Sequence, residues 1–254
     1  MLAFFVLQKV RRNELAKEMV LVPVSVLIDC VCVLLGGIMG ATFKDRVHER
    51  MKEPLNVIFG ICAIGIGVYS FIKLHALPPV ILSLVMGAMI GEFLDLDARV
   101  KRLFLRIFDR FNFKIHGDHD QYMNFYVVVA VTFCASGTNI FGAMNEGITG
   151  DMNILLSKAA MDLFAGAIFA SSLGYAMNLI VVPQFLILSS CFYLARFIMH
   201  FITAEMFADF LAVGGLLTFA LGLSIARIKA INAVNLLPAL VIAMPISYFL
   251  GFFL

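Results

Sequence analysis

The sequence predicts an all-α fold: a polytopic helical membrane protein with about eight transmembrane helices. Three observations carry this. Hydrophobic residues make up 62% of the 254 residues and charged residues only 14%, with a mean hydropathy of +0.98, a composition outside that of soluble domains. Apolar windows near the ~20 residues that a helix needs to cross ~30 Å of hydrocarbon recur at 20–43, 55–72, 77–94, 122–144, 154–177, 179–199, 207–226 and 233–253. The connections are short, so 19–254 reads as a single transmembrane domain with no soluble module.

Residues 1–18 carry Lys9, Arg11, Arg12 and Lys17 ahead of the first span. Apolar LAFFVL precedes basic KVRR, the reverse of a secretory signal. Met19 therefore reads as the natural start and 1–18 as an upstream extension. The first span places Asp29 about ten residues in, and Gly36 and Gly40 follow at helix-packing spacing, as do Gly87 and Gly91 in the third span and Gly166, Ala170 and Gly174 in the fifth. In lipid such spacings let backbones approach closely, and some of these faces are available to a homodimer.

After the third span, 95–113 places Leu96, Val100, Leu103, Phe104, Ile107, Phe108 and Phe111 on one helical face and Lys101, Arg102, Arg106 and Arg110 on the other. That pattern predicts an amphipathic helix lying on the cytoplasmic leaflet, with its apolar face in the acyl boundary and its basic face near anionic lipid.

Net charge is +2, but its distribution sets an orientation. Counting from the first span, one side carries Lys44, Arg46, Arg50 and Lys52, then Arg99 to Lys114, then Arg227 and Lys229; apart from 1–18, the other carries only Lys73, Lys158 and Arg196. The positive-inside rule makes the basic loops cytoplasmic and both termini periplasmic.

The fourth and fifth spans hold the segment most expected to function, TFCASGTNIFGAMNEGITGDMNILLSKAAMD. Unpaired polar groups at membrane depth persist only when packed in protein or lining a cavity. Ser136, Gly137, Thr138, Asn139 and Asn145 offer neutral oxygens and freed carbonyls suited to a monovalent cation or a small neutral solute. Divalent sites want several convergent carboxylates, which are missing here. Asp162 stands near the bilayer midplane with Lys158 one turn before it on the same face, a structural ion pair or a switch in which a cation or proton displaces the ammonium. Asp29 reaches a similar depth, so the two acids can face one cavity. Glu92, Glu205, Asp209, Asn232 and Asn235 read as gate or cap residues nearer the interfaces.

Met51, Leu55, Phe59, Gly60 and Gly67 can be laid on Met206, Phe210, Gly214, Gly215 and Gly222, each series followed by a Pro (Pro78, Pro238) and a final apolar span. Spans one to three and six to eight then form an inverted repeat around a central pair, a common plan among secondary transporters. The five cysteines (Cys30, Cys32, Cys62, Cys134, Cys191) all fall inside spans and read as packing residues. His116 and His119 lie in a Gly-containing loop that reads as a solvated turn. No cofactor, resident metal or nucleic-acid partner is expected. An enzyme is not expected either: Gly150-Asp151 lacks the GxGD context of a membrane aspartyl protease, and no zinc or Ser/His constellation appears.

The stretches FCASGTNIFGAMNEGITGD, GGIMGATF, MGAMIGE, FADFLAVGGLLTFALGL and NLLPALVIAMP resemble, in order from Met19 to Leu254, the YqgA-like family of bacterial inner-membrane proteins of unknown function (domain of unknown function five-five-four). The resemblance implies a multi-pass inner-membrane protein of a Gram-negative bacterium; members are sometimes labelled a possible sodium channel or pump. Two positions depart from the family pattern. Asp29 stands where relatives generally have Asn, and Asn139 where they tend to have a small or apolar residue. Together these readings lead to the expectation of an ion-coupled secondary carrier with a midplane site formed by spans four and five. A passive cation channel and a non-transporting scaffold or sensor are the alternatives.

Overall fold

The computed structural model describes residues 22–44, 49–108 and 119–251, which fold as helices with no strand among the described residues. The extension 1–18, His116 with the side chain of His119, and the far end of the interfacial segment, 109–113, lie outside the described residues. The helices are α1 (Val24–Thr42), α2 (Glu49–Phe71), α3 (Leu77–Leu94), α4 (Leu96–Phe108), α5 (His119–Cys134), α6 (Gly137–Thr149), α7 (Asn153–Leu173), α8 (Val181–Ile198), α9 (Ala204–Ile225) and α10 (Pro238–Leu250). Three 3₁₀ turns, Gly174–Ile180, Met199–Phe201 and Ala233–Leu236, join the later ones.

Seven helical stretches among the described residues are long and apolar enough to cross a bilayer, and one of them, the 49-residue Asn153–Phe201, contains both α7 and α8. That gives the eight crossings expected from the apolar windows. Helix directions agree with the count. Gly36 of α1 lies against the Leu163 carbonyl of α7, and Gly40 against that of Ala167; both partners advance together, so α1 and α7 run parallel. Gly60 and Gly67 of α2 meet Gly222 and Gly215 of α9, and Gly87 and Gly91 of α3 meet Ala239 and Asn235 of α10. Here one partner rises as the other falls, so both pairs are antiparallel. In a chain that alternates direction, the first and fifth crossings must be parallel, while the second and seventh, and the third and eighth, must be opposed.

These contacts also show where the small residues are used. Gly36, Gly40, Gly87 and Gly91 meet backbone atoms of neighbouring helices inside the chain, whereas a Cβ at Gly174 would meet nothing within 4 Å. Close backbone approach of this kind is how helices associate in lipid, where apolar burial gives little drive.

Two expected elements differ from their sequence reading. The fourth span is two helices. α5 ends at Cys134, Ser136 takes an extended conformation (φ −65°, ψ 131°), and α6 begins at Gly137. α5 then runs beside the end of α7, where its Tyr122 and Tyr126 hydroxyls donate to the Leu173 and Ala176 carbonyls at 2.8 and 3.1 Å, satisfying acceptors that a helix end leaves open. The second difference is in α4. Phe104 is buried, with Leu96 and Val100 packed against the same cluster as Tyr126 and Val127 of α5, while Leu103 is exposed. Part of the stripe expected to face lipid is therefore taken up by α5.

Polar groups tie the ends of the helices. Asp209 of α9 accepts the His75 and Ala76 N–H groups at 3.1 and 2.9 Å and the Ser247 hydroxyl at 2.6 Å, fastening α9 to the start of α3 and to α10. Asn235 accepts the Asp97 N–H at 2.8 Å in the first turn of α4. Both hold helix starts as caps, one of the two roles, gate or cap, that the sequence left open for them.

Candidate functional site

Helices α1, α6, α7 and α8 meet around one buried polar group. The absence of side chains at Gly36 and Gly40 lets α1 lie on the backbone of α7, and this brings Asp29 and Asp162 together. The Lys158 ammonium donates to Asp162 Oδ1 along one face of α7, with both side chains buried. The Gln184 amide of α8 donates to Asp29 Oδ2 at 2.7 Å. The remaining side of the Asp29 carboxyl lies within hydrogen-bonding reach of the Asp162 carboxyl. Asn139, in the first turn of α6, lies beside Asp162 and donates to the Phe133 carbonyl at 2.6 Å, bridging the break between α5 and α6. The Phe133 ring sits 5.4 Å from the Lys158 ammonium, a cation–π distance.

Several oxygens in this group accept nothing. Asp29 Oδ1, Asp162 Oδ2, Asn139 Oδ1 and Gln184 Oε1 are buried without a hydrogen-bond partner, as is Ser136 Oγ at the helix break. With both carboxylates ionised, Lys158 neutralises only one, leaving a net negative charge out of reach of water. Such a charge is costly unless something positive joins it. Chemically, the group is an acceptor for one positive charge.

The other residues expected at the site are placed elsewhere. Gly137 faces Leu217, and Thr138 donates to Thr218 Oγ1 at 3.1 Å, so both look towards α9. Asn145 donates to the Asp151 carbonyl at 2.8 Å and belongs to the turn between α6 and α7. Ser136 lines a cavity of about 180 Å³ shared with Asp97, Lys101, Thr132, Ser224 and Asn232, whereas Thr138 and Asn139 are buried. Water-sized space thus reaches the helix break from the side of the α4 and Arg227 loops. The site also draws on more of the chain than spans four and five, because α1 and α8 supply Asp29 and Gln184.

Gln184 is the residue that sequence reasoning missed at the centre. Its signal was present: a lone polar side chain in the apolar run VVPQFLIL, the same feature that singled out Asp29. Glu146 was missed too, although it stands inside the polar motif of the fourth span. Among the described residues no group of three or more His, Cys, Asp or Glu stands together to hold a metal.

Fold and site define the class: a multi-pass helical membrane protein with an ionisable group buried between its helices at membrane depth. The chain belongs to the family described as Protein of unknown function (DUF554), whose model matches residues 24–248. It is similar to the Uncharacterized protein YqgA of Escherichia coli (strain K12), with 42% identity over 221 residues that cover 87% of this chain and 94% of that protein. No solved structure matches it.

Proposed function

We propose that this protein is an ion-coupled secondary carrier of a small ion or solute across the bacterial inner membrane. The observation that carries the reading is the group of Asp29, Lys158 and Asp162, buried at 0%, 6% and 2% relative exposure. Ionisable residues inside a membrane domain are rare because each costs ~2.5–3.5 kcal/mol or more at the bilayer centre, and they mark ion pathways and proton relays. Asp162 lies nine residues into α7, about 14 Å from its start at 1.5 Å per residue, the depth at which carriers hold their coupling ions. The helix broken at Ser136 supports the same reading, since discontinuous helices at membrane depth are tolerated where they serve a site. In this proposal the basic loops are cytoplasmic and both ends of the transmembrane domain periplasmic. Lys158 on Asp162 works against an enzyme in which two carboxylates activate a water, since that chemistry needs both acids free to face the water.

The test is cation and proton flux in proteoliposomes under Na⁺, K⁺, Li⁺ and amino-acid gradients, read with internal pH and voltage dyes. A carrier gives flux in the wild type that Asp162→Asn abolishes. Flux that saturates with neither ion nor solute and persists in Asp162→Asn indicates a passive pore. Silence from folded protein across the panel removes the carrier reading for these substrates.

A further inference from the structure

We infer that Asp29 and Asp162 hold a single exchangeable proton between them, and that Gln184 is the positioning residue that presents Asp29 to Asp162. As the identity of the coupling ion this deepens, and rests on, the carrier reading; the presence of the proton can be measured without it.

The geometry leads there in three steps. First, Asp29 Oδ1 and Asp162 Oδ2 are both buried and both without a donor, while the two carboxyls lie within hydrogen-bonding reach of each other. Two carboxylates in contact cannot both stay ionised; one proton between them removes the repulsion and satisfies both oxygens. Second, the charges balance. Two carboxylates, the Lys158 ammonium and one proton sum to zero, whereas without the proton the group is left with one negative charge.

Third, Gln184 occupies the counterpart of the Asp29 position. The two residues are 155 positions apart, the separation that also relates Gly60 to Gly215 and Gly67 to Gly222. The buried positions of α8, Gln184, Leu188, Phe192 and Ala195, fall at that same separation from Asp29, Val33, Gly37 and Gly40, all buried in α1. The geometry therefore points to two related halves that meet here, one contributing an acid and the other an amide. The amide donates to Asp29 Oδ2, which leaves Oδ1 as the oxygen without a donor. An acid at both positions would bring a third carboxylate to the pair.

The ionisable side chains that bear on the pair are few. Lys158 stands on α7, Cys30 and Cys32 flank Asp29 on α1, and Cys134 of α5 lies near Cys30; α6 and α8 present the neutral amides Asn139 and Gln184. In the transport cycle the proton leaves the pair for water on one side, two carboxylates then face the single Lys158 ammonium with one net negative charge, and a proton from the opposite side restores neutrality.

Infrared spectroscopy of the protein reconstituted in lipid reads the proton directly. At neutral pH the wild type should show a carboxylic C=O stretch that shifts in heavy water and is lost in Asp29→Asn and again in Asp162→Asn. Glu146→Gln and Asp209→Asn, which alter buried carboxyls already supplied with donors, should retain it. Gln184→Leu should change the pH at which the band disappears, and Gln184→Asn should partly restore the wild-type value, while Leu188→Ala one turn on should leave it in place. Asp29→Asn carries the test if Asp162→Asn fails to fold, since it leaves the Lys158 pair intact. No such band in folded wild-type protein, or a band that survives Asp29→Asn, overturns the shared proton. A band without flux overturns the carrier alone, and flux without a band overturns the proton alone.

Discussion

Glu146 takes both donors of Ser25, its backbone N–H at 3.1 Å and its hydroxyl at 2.5 Å, across 121 residues of chain. Helix α1 opens at Pro23 with no side-chain cap of its own, and this carboxylate from α6 supplies one. The partners are buried at 0% and 3% relative exposure, so the bonds are made out of reach of competing water. Glu146→Ala should leave the Ser25 donors buried and unpaired, at a cost of about 1–3 kcal/mol. Thermal unfolding in detergent should show the loss, and Glu146→Gln, which keeps an acceptor, should recover part of it. Equal melting of Glu146→Ala and wild type would mean that the cap does not support α1.

The contact between α2 and α9 makes a sharper prediction. A Cβ added at Gly67 would stand 2.7 Å from the Gly215 carbonyl oxygen, and one added at Gly215 would stand 2.6 Å from that of Gly67, while a Cβ at Gly65 meets nothing within 4 Å. Gly67→Ala and Gly215→Ala should each force the helices apart and destabilise by about 1–3 kcal/mol. Gly65→Ala should be tolerated on the same helix. A melting series over the three variants reads the difference, and similar losses in all three would show that the effect does not come from this contact, since helix propensity alone favours Ala over Gly.

Lys158 and Asp162 should behave as a unit. Asp162→Leu alone leaves a buried ammonium, and Lys158→Met alone leaves two buried acids, so each single change should destabilise by about 3–5 kcal/mol. The double variant removes both charges and should melt above either single variant. It should also carry no flux, separating stability from coupling. Additive losses in the double variant would show that the two side chains do not depend on each other.

Access to the helix break can be read with a membrane-impermeant maleimide in a cysteine-free background. Thr132 lines the cavity that contains Lys101 and Asn232, so Thr132→Cys should be modified in inside-out vesicles and protected in right-side-out vesicles. Thr138, buried at 1% relative exposure against α9, should be protected as Thr138→Cys from both sides. Labelling of Thr132→Cys from the periplasmic side would reverse the proposed orientation.

Much of the architecture was legible because hydrocarbon imposes one rule, an apolar run long enough to cross. That rule located all eight crossings, and the i to i+4 spacing of Lys158 and Asp162 located their pair. Depth alone suggested that Asp29 and Asp162 could meet. What the chain did not disclose is partner choice. Thr138 and Asn139 are adjacent and equally polar, yet one faces α9 and the other the acids, because a helix turns ~100° per residue and no periodicity says which neighbour lies on which side. Asn145 belongs to a turn for the same reason. Phe104 was drawn into the protein because α5 lies beside α4, a contact that an amphipathic pattern cannot distinguish from a lipid surface.

The α2 to α9 joint sets glycine against glycine, with Gly67 on Gly215 and Gly60 on Gly222, so the two backbones approach closely at both points. A seam packed that tightly holds almost no free volume, and densely packed protein compresses little. Between α2 and α7, by contrast, lies an open cleft of about 660 Å³ lined by Ile58, Phe59, Ile66, Met161 and Phe164. The bundle is therefore stiff along one flank of α2 and compliant along the other. A cleft with an open mouth fills with lipid or solvent, so on that flank α2 can shift by exchanging those molecules, while on the other it has to keep step with α9.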